Sequence, residues 1–221
     1  LRQRLADASP VLRRLEVRVA ANRGRDAAPW LLAFEDVHLE YDLMLKLHVK
    51  APAGLSDVFA RAWNRHLIES MLASPGHVAE IVRWFTTEAR LGVVLQHYPP
   101  GFVVSWPRVF EGTAGDREYF EWWLRRCGVN PPREADGVQP VFSAGSVFWY
   151  RPRALERLLT CGVRPEDFPP EPFPAHSTIG HGLERVIPYV AQGAGFYYKF
   201  AIGQDRLLAD FQRYEDRLTS G

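Results

Sequence analysis

Phe142-Ser143-Ala144-Gly145-Ser146-Val147-Phe148-Trp149-Tyr150-Arg151-Pro152 opens on small residues, closes on aromatics and stops at a proline. Ala144, Gly145 and Ser146 let backbone approach closely, because none has a bulky side chain. The stretch reads as a strand. Pro152 suits the first turn of a helix, and that helix ends at Cys161-Gly162. A strand handed straight to a helix, repeated along the chain, is the pattern of an α/β fold. Three consecutive aromatics with an Arg behind them are an odd way to build a plain core strand. They suit the wall of a sugar pocket, since the apolar faces of sugar rings stack on aromatic rings.

Working outward, the same alternation recurs. Residues 1–8 read as a short helix broken at Ser9-Pro10, and Leu15–Val19 alternates as a strand does. Asn22-Arg23-Gly24-Arg25-Asp26 is a turn before a helix that carries Pro29. Tyr41–Val49 reads as a strand, with Leu43, Leu45, Leu47 and Val49 facing the core and Lys46, His48 and Lys50 on the other face. Residues 51–57 are a loop, and a helix follows from Val58 to Leu72. Ser74 caps the next helix, which has Pro75 at its first position and runs to about Phe85. Leu91–Leu95 is a buried strand. Residues 99–116 form a long connection, Arg117–Cys127 a helix and residues 128–138 a loop. Five prolines mark residues 163–175 as a loop. Ser177 or Thr178 then caps a helix through Tyr189, Gly195–Ala201 reads as a strand, and Gln204–Leu218 as a terminal amphipathic helix.

Composition bounds the function. The 221 residues fit one large domain or a domain with an added lobe, and 47% hydrophobic content supplies a real core. A net charge of +1 gives no reason to expect nucleic acid or an anionic membrane as the main partner. Seven Trp suit carbohydrate contact and equally suit a large core. Cys127 and Cys161 stand apart with no metal-like spacing and read as reduced thiols in a cytoplasmic setting. No apolar run approaches ~20 residues, so no spanning helix is expected. The chain starts at Leu1 without a signal-peptide pattern and reads as a fragment of a longer protein or its first ordered part.

Three clusters offer chemistry. In Asn22–Asp26, two guanidiniums beside a glycine turn, between a strand and a helix, can hold phosphate. The turn fits equally a solvated corner where Asp26 caps the helix and pairs an Arg. Lys46, His48 and Lys50 can neutralise a pyrophosphate without metal, or form an exposed charged strand face. In His176-Ser177-Thr178-Ile179-Gly180-His181-Gly182-Leu183-Glu184-Arg185, the side chains of His181, Glu184 and Arg185 fall within one helical turn. They can act as acid, base or anion ligands, or be a plain solvated face. A zinc site is disfavoured, since His176 and His181 are five apart. There is no phosphate-binding loop, G-x-G-x-x-G, G-x-S-x-G or D-x-D.

Taken in order, these segments resemble the rhamnan synthesis protein F family of bacterial cell-wall and O-antigen polysaccharide synthesis. The resemblance runs through Asn22–Asp26, Ala28–Leu31, Tyr41-Asp42, Leu45–Lys50, Trp63, Leu72–Pro75, Leu91–Val93, Ala144–Pro152 and His181–Arg185, and covers about residues 17–200. It implies a glycosyltransferase with a nucleotide-sugar donor, such as dTDP-rhamnose, and a lipid-linked glycan acceptor at the inner membrane face. The alternative is a non-catalytic glycan- or nucleotide-sugar-binding domain of a larger assembly protein. The implied fold is a Rossmann-like, GT-A-type sheet flanked by helices. No first nucleotide-binding strand is evident before residue 15. The chain is expected to be one domain over 1–221, with a donor half at 1–100 and an acceptor half at 101–221.

In that frame Asn22, Arg23, Gly24, Arg25, Asp26, Lys46, His48 and Lys50 would hold the donor, the cations standing in for a metal. Ala144, Gly145, Ser146, Trp149, Arg151 and Arg185 would face the sugar or acceptor. His176, His181 and Glu184 would carry the proton chemistry. The family tends to carry Asp-Gly-Thr where this chain has His176-Ser177-Thr178. His176 would substitute as base, or the acceptor has changed, or the domain is inactive.

Overall fold

The computed structural model describes residues 12–48, 57–98, 109–110, 114–134, 140–170, 172 and 178–202. Four strands make one mixed sheet: β1 (Met44–Lys46), β2 (Leu91–Gln96), β3 (Phe148–Tyr150) and β4 (Tyr197–Ala201), in the order β1-β3-β2-β4. β3 is antiparallel to both neighbours, with Trp149 opposite Leu45 on one side and Val94 on the other. β2 and β4 run parallel, with Val94 opposite Lys199.

Every residue of β2 is buried, because helices cover both faces of the sheet. Val93 and Leu95 point to the larger core, built with α1 (Ala27–Leu32), α4 (Ala114–Arg126), α5 (Glu156–Leu159) and α6 (Ile179–Gly193). Leu91 and Val94 point to a smaller core under α2 (Asp57–Leu72) and α3 (Pro75–Thr87), with Leu67, Met71, Ile81 and Phe85. The α/β expectation therefore holds, as three layers around a mixed sheet. The expected Ser74 cap is present, its Oγ accepting from His77 N at 3.1 Å. Thr178 caps α6 in the same way.

Three sequence expectations are corrected. Leu15–Val19 forms no strand. Val19 is 99% exposed, and Arg18 instead ties the segment to Asp36 and to Ala33 O at 2.8 Å. The strand expected from Tyr41 is three residues long; Leu43 and Leu45 pack against the smaller core as expected, but Lys46 on the other face is buried too and Leu47 is exposed. The aromatic run is core rather than a sugar wall. Phe148 and Tyr150 are buried in the larger core, and Trp149 lies on the opposite face, donating to Met71 O at 3.3 Å. Two of these aromatics are needed inside because Tyr150 closes a polar knot. His38 Nε2 lies 2.7 Å from Trp30 O, which can only accept, so that nitrogen carries the proton. His38 Nδ1 then accepts from the Tyr150 hydroxyl at 3.0 Å, a neutral tautomer that burial favours by pushing His38 down. Cys127 is buried and Cys161 half-buried, and both are free thiols. Residues 1–8, Lys50 and the helix expected over 204–218 lie outside the described residues.

α4 and α6 meet at Gly182. A Cβ there would stand 2.6 Å from Tyr119 Cβ and 2.7 Å and 2.9 Å from the backbone of Tyr119 and Phe120. Backbone cannot step aside, so overpacking costs about 3 kcal/mol, against about 1 kcal/mol gained by replacing a helical Gly. Gly182→Ala is expected to lose about 2 kcal/mol net in urea unfolding. Gly180, two residues earlier, meets nothing closer than 3.6 Å. Gly180→Ala is expected to be neutral or slightly stabilising in the same measurement.

Candidate functional site

Three chain segments meet at the edge of the larger core. The first is the Asn22–Asp26 turn. Gly24 has φ +64°, and a Cβ on it would stand 2.6 Å from Phe168, so both the conformation and the space require glycine. Arg25 follows with φ +50°. The proline-rich loop clamps this turn: Arg23 bridges to Pro170, and its guanidinium donates to Pro165 O at 3.3 Å.

The second segment is the small-residue turn ahead of β3. Gly145 has φ +98° and Ser146 φ +57°. Gln96 holds the turn by donating to Ala144 O, while its own carbonyl accepts from Ser143 Oγ at 3.2 Å. The third is the first turns of α6. Pro188 lies inside this helix and has no N–H to give to the carbonyl four residues back. That carbonyl, Glu184 O, accepts instead from Ser143 N at 3.3 Å. The Glu184 side chain completes the joint, its Oε1 accepting from Gly145 N at 2.6 Å.

Lys46 ties the segments together. Its Nζ donates to Asp26 Oδ2 at 2.5 Å, Ser146 O at 2.9 Å and Ser146 Oγ at 3.1 Å, three acceptors for three protons. His48 Nδ1 stands 3.6 Å from the same Asp26 oxygen. Burial alone would raise the Asp26 carboxyl, but the charges of Lys46 and His48 and the Lys46 hydrogen bond outweigh it and hold it below the ordinary carboxylate value. Among the described residues, Asp26 therefore neither caps α1 with its side chain nor pairs an Arg; it pairs with Lys46, with His48 near the same oxygen.

Gly24, Arg25, Asp26, Ser146, Thr178, Gly180, His181 and Glu184 enclose a cleft of about 70 Å³. His181 Nδ1 meets Thr178 Oγ1 at 2.8 Å. Burial pushes this imidazole down, against the opposing pull of Glu184 and Asp116, and keeps it neutral near pH 7. Arg185 turns away to α4, where it pairs with Asp116 at 3.0 Å and donates to Val109 O and His181 O at 2.8 Å and 2.7 Å. The cleft thus holds two carboxylates, a neutral imidazole and an exposed guanidinium at the N-terminus of a 15-residue helix. Ligand sites usually span ~300–1,000 Å³, so this space admits one end of a ligand.

Of the residues expected to act, the fold gathers Gly24, Arg25, Asp26, Ser146, His181 and Glu184 at the cleft, with Lys46, His48 and Gly145 directly behind them. Asn22 is exposed beyond the turn and Ala144 is buried in the core. Trp149 and Arg151 sit elsewhere, Arg151 donating to Phe85 O at 2.7 Å. His176 and Lys50 lie outside the described residues. Thr178 and Gly180 join the cleft and Gln96 braces it, although none of the three stood out as functional. Thr178 read only as a cap, and Gln96 is visible only as the polar end of an apolar run.

An α/β domain with a polar cleft between a glycine turn and a capped helix is what the geometry defines. The model of one family, rhamnan synthesis protein F, matches residues 3–196, and the chain belongs to that family. Membership ties it to polysaccharide synthesis. The chain is also 28% identical over 183 residues to proteins described as uncharacterized protein WxcX from two strains of Xanthomonas campestris pv. campestris, B100 and ATCC 33913. Those matches cover 81% of this chain and 24% of each relative, so the chain spans about a quarter of their length. No solved structure matches the chain significantly. Among the described residues no helix is long and apolar enough to cross a membrane.

Proposed function

We propose that this chain is a glycosyltransferase domain that moves a deoxyhexose such as rhamnose from a nucleotide-sugar donor, dTDP-linked in the first instance, to a growing cell-surface polysaccharide. The acceptor is a lipid-linked glycan at the inner face of the cell membrane, and the sheet serves in the GT-A manner. The observation that carries this reading is the meeting of Arg25 and the α6 N-terminus with Glu184 and a neutral His181 in one cleft. Transfer needs positive potential where the nucleoside diphosphate departs and a base where the acceptor hydroxyl loses its proton.

In this reading Arg25 and the first turn of α6 face the diphosphate, with His48 behind Asp26 adding to the positive potential, and the diphosphate leaves as the bond from its oxygen to the sugar carbon breaks. Glu184 or His181 takes the acceptor proton as the new glycosidic bond forms. Lys46 orients rather than binds, because Asp26 already matches its charge. The small cleft receives the reacting end of the donor only. The cations do the work of a metal, so EDTA is expected to leave transfer intact; a loss restored by manganese would refute that part.

Calorimetry with dTDP-, UDP- and GDP-sugars tests the whole. Binding of one donor class, with release of its nucleoside diphosphate when acceptor is added, is the expected result. No binding to any of the three overturns the reading. Binding without transfer makes the chain a non-catalytic nucleotide-sugar-binding domain of a larger polysaccharide-assembly protein.

A further inference from the structure

A second cavity, of about 330 Å³, opens where two helix ends meet and shares no lining residue with the cleft. α4 closes in a chain reversal at Gly128, whose φ is +62°: Gly128 N donates to Arg125 O at 3.1 Å and Val129 N to Leu124 O at 2.9 Å. α6 closes the same way at Gly195, φ +84°, with Gly195 N donating to Gln192 O and Phe196 N to Ala191 O, both at 2.9 Å. The reversal after α4 lays Val129 on the last turn of α6. A Cβ on Gly193 would stand 2.9 Å from Val129 Cγ2, so glycine lets the two segments touch. Arg157 of α5 forms a third wall, its guanidinium donating to Gly128 O at 3.1 Å.

The lining combines apolar surface with polar groups that select a neutral ligand. Val129 and Pro132 are apolar, and Tyr189 adds an aromatic ring. That ring is held still by Val141 N, which donates to its hydroxyl at 3.1 Å, and by Phe120, edge-on at 5.6 Å. Beside them stand the exposed side chains of Asn130, Gln192 and Arg157. Neither amide makes a hydrogen bond among the described residues, so each keeps donors and an acceptor for a ligand. Among the described residues no carboxylate lines the cavity, which leaves a cation without a partner. The carbonyl end of α6 bears partial negative charge, which offsets the Arg157 charge and disfavours an anion. A pyranose fits this set: amides and guanidinium bond its hydroxyls, and the apolar side chains and the Tyr189 ring meet its C–H surface. The volume stands at the lower end of the ~300–1,000 Å³ of small-molecule sites.

We propose that this cavity is a glycan-binding subsite that holds one neutral sugar unit of a polysaccharide chain. The choice of ligand rests on the lining and on the family's tie to polysaccharide synthesis. Its position gives it a use. The cleft takes in Gly180 and His181 at the start of α6, and the cavity takes in Gln192 and Gly193 at its end. At ~1.5 Å of rise per residue, the helix from Gly180 to Gln192 separates the two by roughly 18 Å along its axis. A chain of several sugars can span that gap. One unit anchored in the cavity then keeps a growing glycan on the protein between additions at the cleft. This use rests on the transferase reading; the binding itself does not.

The full chain is titrated calorimetrically with neutral oligosaccharides of rhamnose, glucose and galactose, and with inorganic phosphate. Saturable binding of at least one oligosaccharide is expected. Asn130→Ala and Gln192→Ala should each weaken it about tenfold, the loss of roughly one net hydrogen bond. Both side chains are exposed and bond nothing else among the described residues, so the fold survives either change, and unaltered urea unfolding checks that. No saturable binding by any of the oligosaccharides overturns the proposal. So does full affinity in both variants, or displacement of the oligosaccharide by phosphate, which marks an anion site. The result separates from the transferase reading. A chain that binds oligosaccharide in the cavity but no nucleotide-sugar loses that reading and keeps this site, and one that binds a nucleotide-sugar alone does the reverse.

Discussion

Glu184→Gln is expected to lower sugar transfer by about 10²–10⁴-fold, the range for removing a positioned general base, while donor binding and the fold survive. Survival follows from the geometry. A Gln carbonyl can still accept from Gly145 N, and the main-chain Glu184 O still accepts from Ser143 N. What Gln cannot do is take a proton. The variant also bears on its neighbour. Burial sets the low His181 value, and the Glu184 charge partly opposes it. Neutralising Glu184 therefore moves His181 further down, and with it the acid limb of any residual pH–rate profile. Initial rates of nucleoside diphosphate release across pH 5–8 would show both effects. A Glu184→Gln variant as active as the parent would refute the assignment of this carboxylate.

The second expected result concerns stability. Asp26→Asn should cost about 3 kcal/mol, the lower end for breaking a buried ion pair by removing one partner. Asn keeps a hydrogen-bond acceptor for Lys46 Nζ but removes the carboxylate charge that faces this ammonium, whose side chain is 4% exposed. Lys46→Met should cost less, about 2 kcal/mol. The carboxylate it strands is 28% exposed and has His48 at 3.6 Å. The double variant removes both charges and should recover to within about 1 kcal/mol of the parent. Urea unfolding of the four proteins gives the cycle, and strict additivity would refute the coupling. The pH dependence follows in sign. The folded Asp26 carboxyl lies below its ordinary 3.8, so its contribution is complete above that value. It is lost as pH falls through the folded value, and Asp26→Asn should flatten that limb.

Much of the frame was legible. β2 announced itself as an uninterrupted apolar run, the cap of α3 as Ser74-Pro75, and that of α6 as Ser177 or Thr178, of which Thr178 is the one used. These signals are local, fixed by side chains within a few residues of where they act. The cleft was legible in its parts, since Arg25, Asp26, His181 and Glu184 were each singled out. Its assembly was not. A lysine in an alternating strand reads as facing water unless a buried acid waits for it, and Asp26 is 20 residues away. The same blindness put Phe148 and Tyr150 on a pocket wall, since nothing in their immediate sequence reveals the edge-on Trp30 ring and the tilted His38 ring against Tyr150. Pro188 looks like a flaw in a helix until the carbonyl it releases is seen to hold Ser143.

The strand order has a consequence for how the chain is made. β2 sits between β3 and β4, and both are translated later; β1 pairs with β3, about a hundred residues downstream. A ribosome adding ~5–20 residues per second needs roughly 3–10 s to pass from the end of β2 to β3. Throughout that interval α2 and α3 can shield one face of β2 and α1 part of the other, but both its edges stay bare. The emerging polypeptide thus carries a sticky apolar strand until Phe148–Tyr150 clears the exit tunnel. That arrival covers one edge of β2, and the other is covered when Tyr197–Ala201 follows.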